Sequence, residues 1–138
     1  MARKVVGVGS VGTRCLVALF EAGDGTPLFL QLKQATPSVL EPHLGASSIE
    51  HAGQRVVEGQ RLIQATSDVL LGWARWQERS ERKIDFYVRQ FRDMKGAVTV
   101  EGMYGSALMD YGRICGALLA KGHARSIDAT ILSGYLGK

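Results

Sequence analysis

KVVGVGSVGTRCLVALFEAGDGTPLFLQLK, residues 4–33, decides the fold. Gly7, Gly9 and Gly12 stand in the order G-x-G-x-x-G. Glycines so spaced let a backbone turn tightly and approach a phosphate closely. Two kinds of phosphate loop use that spacing, and they differ in the element that comes after it. A dinucleotide fold places a helix after the third glycine, whereas a kinase-type loop places a second strand there. The run after Gly12 is almost continuously apolar, so periodicity alone does not separate the two. The residues beyond that run do. Asp24-Gly25 is a hairpin turn signal and Pro27 closes the loop. Leu28, Leu30 and Leu32 then alternate with Phe29, Gln31 and Lys33, the pattern of a half-buried strand. Two strands joined by a tight turn account for this better than a helix running into a hairpin strand. Met1 to Val8 reads as a short strand leading into the glycines.

Further along, Ala35 to Ala46 contains two prolines and reads as irregular, with one short turn. Ser47-x-x-Glu50 matches a capping box, which predicts a helix from about Ser48 to Thr66 with Ile49, Ala52, Val56 and Ile63 on its apolar face. Val69–Trp76 and Ile84–Phe91 read as a strand pair around the charged turn RWQERSERK. Trp73 and Trp76, three apart in a strand, are expected on opposite faces, one in the core and one exposed. Gly96 and Gly102 mark a connection. Met103–Lys121 reads as a longer helix ended by Gly122, with Leu108, Tyr111, Cys115, Leu118 and Leu119 at helical spacing. Met103 and Met109 are expected in its core. Ser126 is placed to cap a last helix carrying Ile131, Leu132 and Tyr135.

The chain has 138 residues, 46% hydrophobic and 22% charged, which suits one modest core. No apolar run approaches the ~20 residues of a membrane helix. The N-terminus has no secretory apolar region, so a cytoplasmic location is expected. Cys15 and Cys115 have neither disulfide nor zinc spacing and read as buried apolar side chains. The net charge of +4 suits an anionic ligand such as a nucleotide and equally suits nucleic acid. No basic or aromatic stripe supports nucleic acid, since the two tryptophans fall on opposite faces. His43 and His51 lack a third ligand nearby, and no metal site is expected.

The dinucleotide alternative also wants an acid about 20 residues after the loop for the ribose. Gln31, Leu32 and Lys33 stand near that spacing instead. The kinase-type order is strand, glycine loop, strand, lysine-bearing strand, glutamate-bearing helix, two more strands. The sequence supplies that order, with Lys33 on the third strand and Glu58 on the helix. A triphosphate needs cationic charge at its phosphates, and an acid on the adjoining helix holds the lysine. From pattern alone, Lys33 also fits a solvated edge-strand lysine. Glu58 lies off the apolar face of its helix and reads from periodicity as a solvated glutamate. Glu50 is a second candidate partner already occupied by capping.

KVVGVGSVGTRC, PLFLQLK, PSVLEPHLG, GQRVVEGQRL, VRQFRDMKG and GHARS, in that order, resemble the bacterial family called domain of unknown function 2252. The resemblance spans essentially the whole chain. Longer members carry a preceding segment with G-D-x-H-x-x-N-F-like and N-D-F-D-E-like motifs, similar to the catalytic and metal-binding loops of aminoglycoside-phosphotransferase-like kinases. The resemblance therefore implies a circularly permuted kinase-like phosphotransferase using ATP and Mg2+. It implies that Gly7, Gly9, Ser10 and Gly12 cover the phosphates, that Lys33 holds them and that Glu58 holds Lys33. The backbone from Phe91 to Asp93 becomes the hinge that meets adenine.

These readings together predict an α+β fold. Residues 1–95 form a five-stranded antiparallel sheet with a packed helix, like a protein-kinase N-lobe, and residues 96–138 form a helical C-terminal segment. The catalytic motifs of the longer members are not in this sequence. His123 with Asp128, in GHARSID, is the only pair that mimics a catalytic loop, and a surface capping role explains it equally. The expected function is thus a nucleotide-binding lobe without its catalytic lobe, with a second chain or self-association as partner. The alternative is a non-enzymatic interaction module or a truncated remnant of the same family.

Overall fold

The computed structural model describes residues 2–3, 11–77, 82–91 and 96–137. The chain divides into two compact units, residues 1–60 with 67–92, and residues 61–66 with 93–138.

The first unit is built on an antiparallel sheet. Its four principal strands are β2 (Cys15–Glu21), β3 (Pro27–Ala35), β4 (Gly72–Gln77) and β5 (Lys83–Gln90), in the spatial order β2-β3-β5-β4. Ala2–Arg3 (β1) pair with Val17 and Leu16 on the outer edge of β2. The β2–β3 hairpin forms where the turn chemistry places it. Asp24 Oδ1 accepts from Thr26 N at 2.9 Å, Gly25 takes φ 81°, and Ala22 N donates to Thr26 O at 3.0 Å. Such a positive φ is one that glycine adopts without steric cost. The register then runs from Cys15 opposite Lys33 to Glu21 opposite Pro27.

Alternation sorts the side chains onto two faces. Cys15, Val17, Gln31, Lys33, Tyr87 and Arg89 share one, and Leu16, Ala18, Leu30, Leu32, Phe86 and Val88 the other. Trp73 lies opposite Tyr87 and Trp76 opposite Ile84, so the tryptophans take opposite faces as expected. Neither is core, however, since they are 39% and 49% exposed.

Between β3 and β4 lie α1 (Glu41–Leu44) and α2 (Ala52–Ile63). The expected start of α2 at Ser48 is corrected to Ala52. The Ser47-x-x-Glu50 box does not cap it. Ser47 Oγ accepts from Ile49 N at 3.1 Å in a local turn, and Glu50 projects to solvent at 93% side-chain exposure. His51 takes the capping position, its Nδ1 accepting from Gln54 N at 3.1 Å. The buried face is also shifted. Ala52, Gly53 and Val57 are buried, whereas Val56 is intermediate and Ile63 exposed. Gly53 sets the approach to β5, because a Cβ there would stand 2.2 Å from Phe86 O.

The second unit carries α3 (Ser106–Ser126) and α4 (Ala129–Leu136). Gly122 does not end α3 as expected. The helix continues for another turn to Ser126, whose hydroxyl donates back to Gly122 O and His123 O, both at 3.2 Å. Asp128, rather than Ser126, caps α4. No residue of α3 or α4 is buried. Leu108, Met109, Leu118 and Leu119 are therefore exposed, and Cys115 is exposed while Cys15 is buried. Helical periodicity suggests a core for these positions; it identifies a face but not what covers it. No helix among the described residues is long and apolar enough to cross a membrane.

Candidate functional site

The glycine-loop exit and Lys33 meet at one end of the sheet. Cys15, the first residue of β2, lies opposite Lys33. Just before it, Arg14 O accepts from Gln34 N at 2.8 Å, and Arg14 N donates to Gln34 Oε1 at 3.0 Å. These bonds pin the chain leaving Gly12 against the end of β3. Gly12 itself has φ 80°, a left-handed conformation that disfavours any other residue. Gly7, Gly9 and Ser10 lie outside the described residues, as does Asp93.

Phe91 directly succeeds β5 and extends its ladder, its N–H donating to Phe29 O at 2.8 Å. Phe29 precedes Lys33 by four residues on β3, a span of about 13 Å at strand rise. The edge at Phe91 and the Lys33 end thus lie at the two ends of one strand pair. Glu58 is exposed on α2, and its Oε1 accepts from Gln54 Nε2 at 3.1 Å.

At the centre of the Lys33 face lies a polar pair. The sequence marks Arg89, which flanks Phe91, either as a contact for phosphate or an acidic partner or as a solvated strand arginine, but it does not disclose Gln31 as its partner. Gln31 is only 2% exposed. Its Oε1 accepts from both Nε and Nη2 of Arg89, each at 3.0 Å, and its Nε2 lies 3.5 Å from Cys15 Sγ. Burial of a polar amide is tolerated because each end has a partner. Arg89 lies opposite Gln31 in the β3–β5 register, and Lys33 lies opposite Tyr87. Burial pushes the Tyr87 hydroxyl above its usual value, with Arg89 drawing it part of the way back.

A second cluster ties α2 to the sheet. Asp85 accepts from Arg75 Nε at 2.6 Å and Nη2 at 3.1 Å, and from Ala52 N at 2.8 Å. His51 Nε2 lies 3.4 Å from its Oδ1, outside good hydrogen-bond geometry. Arg75 first, and the Ala52 N–H with it, hold the Asp85 carboxyl below its usual value. A cleft of about 600 Å³ beside this cluster is lined by residues that include Thr36, Arg55, Arg75, Lys83 and Asp85. Among the described residues its lining includes neither Lys33 nor Gly12.

The His123 backbone and the Asp128 side chain make local hydrogen bonds. The His123 carbonyl accepts from Ile127 N at 3.0 Å at the end of α3. Asp128 Oδ1 accepts from Thr130 N at 2.7 Å and Ile131 N at 3.4 Å, and these donors hold its carboxyl below the usual range. Among the described residues no three His, Cys, Asp or Glu side chains gather where they could hold a metal ion.

A family model described as an uncharacterized protein conserved in bacteria (DUF2252) matches residues 1–138. No curated protein and no solved structure matches the chain.

Proposed function

The chain belongs to the bacterial DUF2252 family, and from that starting point we propose that it is the nucleotide-binding lobe of a kinase-like phosphotransferase, taking ATP with Mg2+ in the cytoplasm. The observation that carries this reading is the strand order β2-β3-β5-β4 with α2 inserted between β3 and β4. That is the arrangement in which a lysine on β3 serves a glycine loop preceding β2. In this reading β1 is the fifth strand, at the sheet edge, and Gly7, Gly9, Ser10 and Gly12 close over the phosphates. Lys33 supplies positive charge to them. The backbone from Phe91 to Asp93 meets the base at the far end of the strand pair, and Glu58 serves as the lysine's partner.

Phosphoryl transfer also requires a positioning group and acids that hold magnesium. Asp128 is engaged in capping α4, so we assign no catalytic role to His123 and Asp128. The reading is of a binding lobe whose catalytic groups come from a partner. Titration calorimetry of the folded chain with ATP, with and without Mg2+, tests it beside Lys33→Ala. Micromolar binding that disappears in the variant is the expected result. Absence of binding in a folded chain overturns the reading.

A second reading, a protein-interaction module on the same fold, is favoured by the apolar side chains that α3 exposes, with Leu118 at 63% and Leu119 at 62% exposure. Concentration-dependent sedimentation, together with absence of nucleotide binding, would select it.

A further inference from the structure

The Gln31–Arg89 pair has a feature that packing alone leaves unexplained. Arg89 is only partly exposed, and a cation removed from water ordinarily recruits a carboxylate. Its hydrogen bonds among the described residues go to the neutral amide oxygen of Gln31, and no described carboxylate forms an ion pair with it. The amide fixes the guanidinium by two N–H groups without cancelling its charge. Among the described residues the remaining N–H donors meet no partner, and they form a rigid fork suited to an oxyanion. The register adds position. Lys33 and Arg89 are diagonal neighbours on one face of β3 and β5, about 7–8 Å apart at their bases. Two such long side chains can converge on one polyphosphate.

We infer that Arg89 is a second anion-holding cation of this face, that Gln31 is its positioning residue, and that Arg89 and Lys33 together take the phosphate chain of the nucleotide. The inference rests on the nucleotide reading for the identity of the ligand, and on the Gln31–Arg89 geometry for the anion site. It also explains why position 31 is an amide. A glutamate of the same shape would cancel the charge of Arg89 and weaken its hold on an anion.

The test is calorimetry of the full chain with two probes, Mg2+-ATP and inorganic tripolyphosphate. Wild type is compared with Arg89→Ala, Arg89→Lys and Gln31→Glu, each checked for folding by circular dichroism. Gln31→Glu is the discriminating variant, because it keeps the shape and the hydrogen bonds to Arg89. A merely structural pair would tolerate it with binding unchanged. We expect it to fold and to lose at least about tenfold in affinity for both probes, the scale of one charge-assisted hydrogen bond. Arg89→Ala is expected to lose as much, and Arg89→Lys less. ATP binding that depends on Lys33 but is unchanged in Gln31→Glu overturns the inference and leaves the nucleotide reading standing. Arg89-dependent binding of tripolyphosphate, with ATP bound no more tightly, supports the anion site and overturns the nucleotide reading. Binding of neither probe overturns both.

Discussion

Asp85 Oδ2 accepts the backbone N–H of Ala52 at 2.8 Å across 33 residues of sequence. The first turn of α2 is thus tied to β5 by a side chain of the sheet. The same carboxylate holds Arg75 on β4, so one group joins two strands and a helix start. Removing it leaves an orphan amide, and leaves Arg75 only the solvent-exposed Glu50, 3.6 Å away. Asp85→Ala is expected to cost roughly 2 kcal/mol, a helix cap plus a charge-assisted bond. Urea unfolding at neutral pH measures it, and a loss below about 0.5 kcal/mol, the usual surface value, would contradict the role.

The same geometry sets the pH dependence. Arg75 and then the Ala52 N–H depress the folded carboxyl of Asp85, while in the unfolded chain it titrates at the ordinary value. Its stabilising contribution is therefore fully present above the ordinary carboxylate range, and is lost as pH falls through the depressed folded value. Denaturation midpoints measured from neutral pH down to about pH 3 should fall more steeply for wild type than for Asp85→Asn. Parallel curves would remove Asp85 from the account.

Two glycines of α2 should respond to alanine in opposite directions. A Cβ at Gly53 meets Phe86 O at 2.2 Å, whereas one at Gly59 has nothing within 4 Å. Gly59→Ala gains helix propensity and is expected to stabilise by about 0.5–1 kcal/mol. Gly53→Ala has the same propensity gain but forces helix and strand apart, for a net loss of roughly 2 kcal/mol. Thermal melts of the pair decide it, and equal shifts would show that α2 does not press on β5.

These contacts mark where the sequence is legible. Asp24-Gly25 and the alternation after it disclose the β2–β3 hairpin, because both signals are local. The start of α2 is misplaced by four residues because its anchor, Asp85, is remote. Gly53 looks unremarkable because its role depends on the backbone of another strand. Gln31 and Arg89, 58 residues apart, become a pair only through the β3–β5 register. Glutamine within a half-apolar strand gives no sign of burial. For α3, periodicity marks an apolar face correctly in spacing but is silent about what covers it.

The two cysteines, alike in sequence, should react differently. Cys15 is 2% exposed on β2, and Cys115 is exposed on α3. A thiol reagent at neutral pH is expected to modify one equivalent quickly and the second only after denaturant is added. Cys115→Ser should abolish the fast phase, and Cys15→Ser should leave it intact. Two fast equivalents in the native protein would contradict the burial of β2.

Asp128 separates a structural role from a chemical one. Its Oδ1 accepts from Thr130 N at 2.7 Å, the geometry of a helix N-cap. Asp128→Ala is expected to loosen α4, seen as roughly fivefold faster amide exchange over residues 129–136. Asp128→Asn keeps an acceptor and should restore most of the protection. The lowered carboxyl of Asp128 adds a sign to the experiment. Its share of the cap is present above the ordinary carboxylate value and fades as pH falls through the folded one, so exchange in wild type should approach that of Asp128→Ala in acid. ATP affinity should stay within about twofold of wild type in both variants, less than about 0.5 kcal/mol. A variant that lost nucleotide binding while α4 kept its protection would place Asp128 at the ligand and return the His123–Asp128 pair to candidacy.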